Sequence, residues 1–298
     1  MNGIGTKAQA AATPDFIRLL RPKQWIKNAF VAAPLFFTPE AVNLGNFKLI
    51  LAGTALFCLA SSAIYILNDL FDREADRLHP TKAFRPLASG AVSVPTAVVA
   101  FSLLTLFSMG ASLALSKSFG LFVIAYLVLQ STYSLGLKHV AVLDAMMIAV
   151  GFVLRVFAGS ALIGAVPSPW IVIATGLVAT FLALAKRRDD LIRDVAGGHR
   201  RSLHGYTVEF LDTATAVILS ALLVCYLMYT TSEAVIERLN APHLYITSAF
   251  VIGGVLRYLQ LAIVFRTTGS PTDIMLRDQF MIATCAGWFL AFGYLVYG

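Results

Sequence analysis

The sequence predicts an all-α, polytopic membrane protein, and three observations carry that prediction. The 298-residue chain is 58% hydrophobic and 13% charged, with a mean hydropathy of +0.77, far above soluble norms. Apolar runs of about 18 residues or more, the length that crosses hydrocarbon as a helix, recur along its whole length. Period-two alternation is absent, so a transmembrane barrel has no support.

Nine spans follow in order, at 24–38, 47–68, 95–116, 119–137, 140–164, 169–186, 210–232, 243–265 and 278–297. The first has the weakest pattern, since Pro34 interrupts it and Lys27 lies within it. Residues 1–298 read as a single integral-membrane domain. Residues 1–15 form a flexible lead-in without a signal peptide's apolar core. Cys58, Cys225 and Cys285 lie in apolar runs without paired spacing, which fits small core residues and neither disulfides nor a zinc site.

Charge then sets the orientation. With the N-terminus inside, 18 of the 23 Lys and Arg fall on the cytoplasmic side. Lys48, Lys117 and Arg238 fall on the other side, and Arg155 and Arg257 within spans. This positive-inside bias predicts a multi-pass protein of the plasma (inner) membrane with its C-terminus outside. It also accounts for the isoelectric point near 9.4 without a nucleic-acid partner. The two longest charged loops, 69–94 and 187–209, share the cytoplasmic face, where some of the basic surplus touches anionic membrane lipids.

The acids in those loops need another reason. In "NDLFDREADRLHPTKAFRPLASG", Asn68 to Gly90, the residues Asp69, Asp72 and Asp76 stand at i, i+3 and i+7, and Asn68 lies four before Asp72. That is one stripe of a helix, and like charges so spaced repel. Carboxylates and an amide oxygen are hard ligands suited to Mg²⁺, which resolves the repulsion. The bland reading is a solvated helix end in which Arg73 and Arg77 neutralise the acids. The second loop weighs against it, because "LAKRRDDLIRD" repeats the device with Lys186, Asp190 and Asp194 on one face and Arg187 beside them. Two such stripes can hold metal ions between them, while flanking Arg and Lys hold a metal-bridged diphosphate.

These residues resemble a known family. "NDLFDREAD" matches the NDxxDxxxD signature of the UbiA superfamily of intramembrane prenyltransferases, "RPLASG" is characteristic of it, and the DxxxD of "DLIRD" resembles its second motif. The resemblance covers nearly the whole chain and implies nine transmembrane helices around a central cavity under a cytoplasmic cap. "RPKQWIKN", "HPTKAFRP", "YSLGLKH" and "LRDQ" are similar to its decaprenyl-phosphate phosphoribosyltransferase branch. That branch implies phosphoribosyl pyrophosphate as donor, polyprenyl phosphate as acceptor, Mg²⁺ as cofactor, and a lipid-linked precursor of cell-envelope arabinose as product. Asp69, Asp72, Asp76, Asp190 and Asp194 are the implied metal ligands. Which of Asp189, Asp190 and Asp194 faces the site stays open, as does a homo-oligomeric state.

A donor with both a diphosphate and a 5-phosphate needs many cations, and the chain supplies Lys23, Lys27, Lys82, Arg85, Lys138, Arg155, Lys186 and Arg187 near the membrane faces. Lys82 and Arg85 join the first three aspartates as catalytic residues. Asn68, Tyr133, Asp190 and Tyr258 join the other cations as substrate contacts. Arg155 is the most telling, because a cation within a span is disfavoured unless paired or facing water. Asp144, 11 residues away, is about three turns distant and too far for contact along one helix. Arg257 is balanced between substrate and structure. Trp25 reads as an interfacial elbow, and "AGSALIGA" as a stripe for close packing. Two other functions compete: a prenyltransferase using a prenyl diphosphate, and a transporter, which the one-sided charge and missing repeats disfavour.

Overall fold

The computed structural model describes residues 14–193, 201–266, 274 and 277–298 of the chain. Most of the expected lead-in, and Asp194, therefore lie outside the described residues. Eight helices are long and apolar enough to cross a membrane, and no strand occurs among the described residues. The chain opens with α1 (Asp15–Leu20), a 3-10 run (Pro22–Val31) and α2 (Ala33–Phe36). The first four long helices are α3 (Leu44–Arg77), α4 (Val94–Leu115), α5 (Lys117–Leu135) and α6 (Leu143–Ile163). They are followed by α7 (Pro169–Arg193), α8 (Val208–Thr231) and the short α9 (Glu233–Leu239). Last come α10 (Ser248–Leu259), continued by a π turn at Gln260–Val264, and α11 (Gln279–Tyr297).

Side-chain caps start these helices where the sequence changes character. Asn43, Ser93, Ser116, Thr207 and Asp278 each accept from a backbone N–H three residues on. A single residue, Ser116, separates α4 from α5, so the two must run antiparallel. The bundle then builds by neighbours, with α3 against α4, α5 and α6, α7 between α6 and α8, and α10 against α11. Alternate helices consequently end on the same face, and the C-terminal ends of α3, α5 and α7 all lie there. Two helices outrun the expected spans. The first acid stripe and the described part of the second are themselves helical, so α3 continues to Arg77 and α7 to Arg193.

The expected first span, 24–38, is not a long helix. The segment crosses the bundle as ten residues of 3-10 helix and one turn of α2. Its start near Arg21 touches α3 at Asp69, and its end touches the C-terminus of α11, where Tyr297 donates to the Phe36 carbonyl at 2.5 Å. Two causes act together. Pro22 and Pro34 each remove a backbone donor, and a 3-10 run rises about 2 Å per residue and so covers more depth.

Val31 and Leu35 of this segment pack with Phe57, Phe119, Tyr126 and Leu162 in the main core. The approach to α6 is tight, because a Cβ on Gly159 would lie 1.9 Å from the Val31 carbonyl oxygen. The "AGSALIGA" stripe therefore packs closely against backbone. Gly159→Ala is expected to destabilise the protein by about 1–3 kcal/mol through overpacking. Thermal unfolding in detergent checks this, and an unchanged melting temperature would contradict it.

Candidate active site

Asp69, Asp72 and Asp76 share one side of α3 near its C-terminal end, and each already has a cationic partner. Arg21 and Arg85 both reach Asp69, Arg85 at 3.1 Å, and Arg85 also donates to Asp76. Lys138, buried in the turn after α5, donates to Asp72 and, at 3.2 Å, to the amide oxygen of Asn68. The Asn68 amide in turn donates to Asp72 at 3.0 Å. Arg73 and Arg77 do not neutralise the stripe, since both pair with Glu74 on its outer side. The cations therefore come from the 3-10 segment, the loop after α3 and the turn after α5. That long-range supply is what a solvated helix end would lack.

A pocket of about 240 Å³ opens at Asp69, lined by Arg18, Arg21, Thr81, Phe84, Arg85 and Pro86. Lys82 starts the 3-10 turn Lys82–Phe84 of the same loop, half-buried. His79 shapes that loop, its Nδ1 accepting from the Thr81 N–H at 3.2 Å.

The second stripe divides between two sides of α7. Arg187, buried, donates to Asp144 at 2.7 Å, lies 3.6 Å from Asp190, and stands beside Tyr133. Lys186 pairs with Asp190 at 2.7 Å and with Asp189 at 3.5 Å. Tyr206 donates to the other oxygen of Asp144 at 2.7 Å. Burial and that carboxylate push the Tyr206 hydroxyl up to about 12, so it remains a donor throughout the neutral range. Arg187, with Asp190 beside it, thus faces Tyr133 near the end of α5, which closes at Leu135, one residue before Gly136 and three before Lys138.

Arg188 goes the other way, to Asp212 of α8, and Tyr258 packs edge-on against Phe181 at 4.7 Å in that same region. Tyr258 is therefore not gathered with the α3 acids. The physical reason is the neighbouring ion pair. Arg257 donates to Asp278 at 2.7 Å outside the bundle, which turns Tyr258 inward between α7, α8 and α10. The same hydrogen bonds from Arg257 hold the Asp278 carboxyl below its usual range.

Arg155 is buried at mid-bundle and has no acid among its partners in the described residues. It donates to the Asn28 side-chain oxygen at 2.9 Å, the Gly151 carbonyl at 2.7 Å and the Tyr126 hydroxyl at 3.1 Å. The faces of Tyr126, Phe152 and Phe57 surround its guanidinium. Asn28 is fixed for this task by donating to Ser61 at 3.1 Å. Lys27 lies near enough to Arg155 and Arg21 for mutual repulsion, and both Lys23 and Lys27 are exposed. Trp25 donates to Ser62 of α3 at 3.0 Å, which anchors the segment bearing them.

Sequence reasoning missed Arg21, Asn28, Asp144 and Tyr206 as site residues. Arg21 and Asn28 lie inside the "RPKQWIKN" stretch, and Arg21 adopts the left-handed conformation at φ 53°, a bend that aims it at Asp69. Asp144 and Tyr206 are 62 residues apart, and no local pattern links them.

All candidate ligands on α3 are hard oxygens, and their spacing along one face suits Mg²⁺. Among the described residues no three His, Cys, Asp or Glu side chains are gathered as a ligand cluster. Arg and Lys hold the carboxylates instead.

Comparison with known proteins follows the same lines. The model of the UbiA prenyltransferase family matches residues 28–271. The decaprenyl-phosphate phosphoribosyltransferase of Mycolicibacterium smegmatis is 31% identical, over 99% of this chain and 98% of its own length. The protein of that name in Corynebacterium glutamicum is also 31% identical, over 94% of this chain and 86% of its own. Among solved structures, a UbiA homolog from Archaeoglobus fulgidus bound to DMAPP and Mg²⁺ superposes with a TM-score of 0.69, covering 95% of this chain and 98% of that one at 23% identity.

Proposed function

Because the chain belongs to the UbiA prenyltransferase family, we propose that it transfers 5-phosphoribose from phosphoribosyl pyrophosphate to a polyprenyl phosphate within the plasma membrane. The relatives that align along nearly its whole length are named decaprenyl-phosphate phosphoribosyltransferases. The observation that carries the reading is the surplus of cations. After Arg21, Arg85 and Lys138 have matched the α3 acids, Arg155 still has only neutral partners among the described residues. Lys23 and Lys27 add further charge on the segment that crosses the bundle. A prenyl diphosphate presents one anionic group, whereas this donor presents a second phosphate on C5 of the ribose.

Asp69, Asp72 and Asp76, with Asn68, would hold Mg²⁺, and Asp190 and Asp194 are the proposed second set. When bound, the ion neutralises the pyrophosphate and improves it as a leaving group. Arg21, Arg85 and Lys138 pass from carboxylates to phosphate oxygens, and Lys82, Lys186 and Arg187 stabilise the charge that develops on departure. The bond from C1 of the ribose to pyrophosphate breaks and that oxygen keeps the electron pair. A phosphate oxygen of the acceptor forms the new bond to C1. Such a phosphate is ionised at neutral pH, so no general base is needed. The acceptor's tail lies among the apolar spans with its phosphate at the cytoplasmic interface, and the product is a lipid-linked precursor for envelope arabinose.

Purified protein incubated with labelled phosphoribosyl pyrophosphate, polyprenyl phosphate and Mg²⁺ tests this. The expected result is label in the organic phase, lost with EDTA. Absence of lipid label, with transfer from a labelled prenyl diphosphate instead, would establish the competing donor.

A further inference from the structure

The end of the bundle opposite the aspartates holds a second, larger cavity of about 730 Å³. The start of α7, the end of α8, α2 and α11 enclose it, and Phe36, Phe37, Trp170, Trp288 and Phe289 supply most of its apolar wall. None of the α3 or α7 acids lines it. An apolar cavity in a membrane protein is unremarkable alone, but three polar groups break the pattern here.

Ser160 and Tyr229 line the cavity, are more than nine-tenths buried, and neither hydroxyl has a hydrogen-bond partner among the described residues. A hydroxyl left unpaired in apolar surroundings is disfavoured, so each calls for an acceptor that the described residues do not provide. Arg238 of α9 stands at the exposed edge, near enough to Tyr229 to act on its hydroxyl electrostatically. It makes no ion pair among the described residues. The cavity thus offers two donors inside, one cation at the rim, and hydrocarbon between. Two tryptophans beside it match the aromatic chemistry of a membrane interface.

We propose that this cavity binds an anionic glycerophospholipid from the leaflet at that end. Its phosphate lies on Arg238, its ester carbonyls accept from Tyr229 and Ser160, and its acyl chains follow the aromatic wall. A polyprenyl tail has no acceptor for either hydroxyl, which is why the occupant is a phospholipid rather than the far end of the transfer substrate. This site is independent of the proposed transfer reaction.

Delipidated protein titrated with phosphatidylglycerol, and separately with diacylglycerol, under native mass spectrometry tests it. One phosphatidylglycerol should be retained per chain, about tenfold more tightly than diacylglycerol, which keeps the ester carbonyls but lacks the phosphate, the effect of one charge-assisted contact. Arg238→Gln and Tyr229→Phe should each weaken retention by a similar factor without altering the melting curve. Should Tyr229→Phe fail to fold, the surface variant Arg238→Gln decides the matter alone. Equal retention of both lipids, or no change in Arg238→Gln, would overturn the proposal. So would one-for-one displacement of phosphatidylglycerol by polyprenyl phosphate.

Discussion

Asp72→Asn is expected to lower phosphoribosyl transfer on the order of 10³-fold, the scale set by losing a group that stabilises transition-state charge. The substitution removes one negative charge from the stripe and leaves the shape of the side chain intact. Lys138 keeps two neutral acceptors, the Asn68 oxygen at 3.2 Å and the new amide oxygen. Asp72 is also the least buried of the three acids, at 30% side-chain exposure against 3% for Asp69 and 6% for Asp76. The fold should therefore survive. Initial rates on lipid-extractable product, read beside a melting curve, separate the two effects. Near-normal rates would remove Asp72 from the catalytic set.

Arg155→Met should separate stability from function in the opposite sense. A cation within a span is disfavoured by roughly 2.5–3.5 kcal/mol on insertion scales, and this one has no carboxylate to offset that. Three hydrogen bonds to neutral acceptors and three aromatic faces recover part of it. Methionine fills similar volume without charge, so the melting temperature should equal or exceed that of the parent. The donor's Michaelis constant should rise about 10²-fold, the value of one hydrogen bond to a charged group. A variant that melts lower and binds the donor normally would make Arg155 a structural residue.

The sequence carried much of this design because its strongest signals are local. Eight apolar runs became helices, six of them close to their expected limits, and the i, i+3, i+7 stripe placed Asp69, Asp72 and Asp76 together. What it could not carry depends on contacts between distant residues. Arg155 was separated correctly from Asp144 by helix rise, yet the true partner of Asp144 is Arg187, 43 residues on. Tyr258 looked available beside an in-span arginine, but the Arg257–Asp278 pair turns it into the α7–α8–α10 core. The first span misled because an apolar run signals depth and not helix type, and prolines with Gly159 allow a 3-10 crossing.

Binding of labelled pyrophosphate to the purified protein, in Mg²⁺ and in EDTA, tests the central claim that acids and cations exchange partners around a shared guest. In Mg²⁺, Asp69→Asn should weaken binding about tenfold or more, because a carboxylate that holds the bridging ion is gone. In EDTA the same variant should bind pyrophosphate more tightly than the parent, because Arg21 and Arg85 are released from their carboxylate. Tighter binding by the variant in both conditions would mean that Asp69 only repels the anion, and would contradict the account.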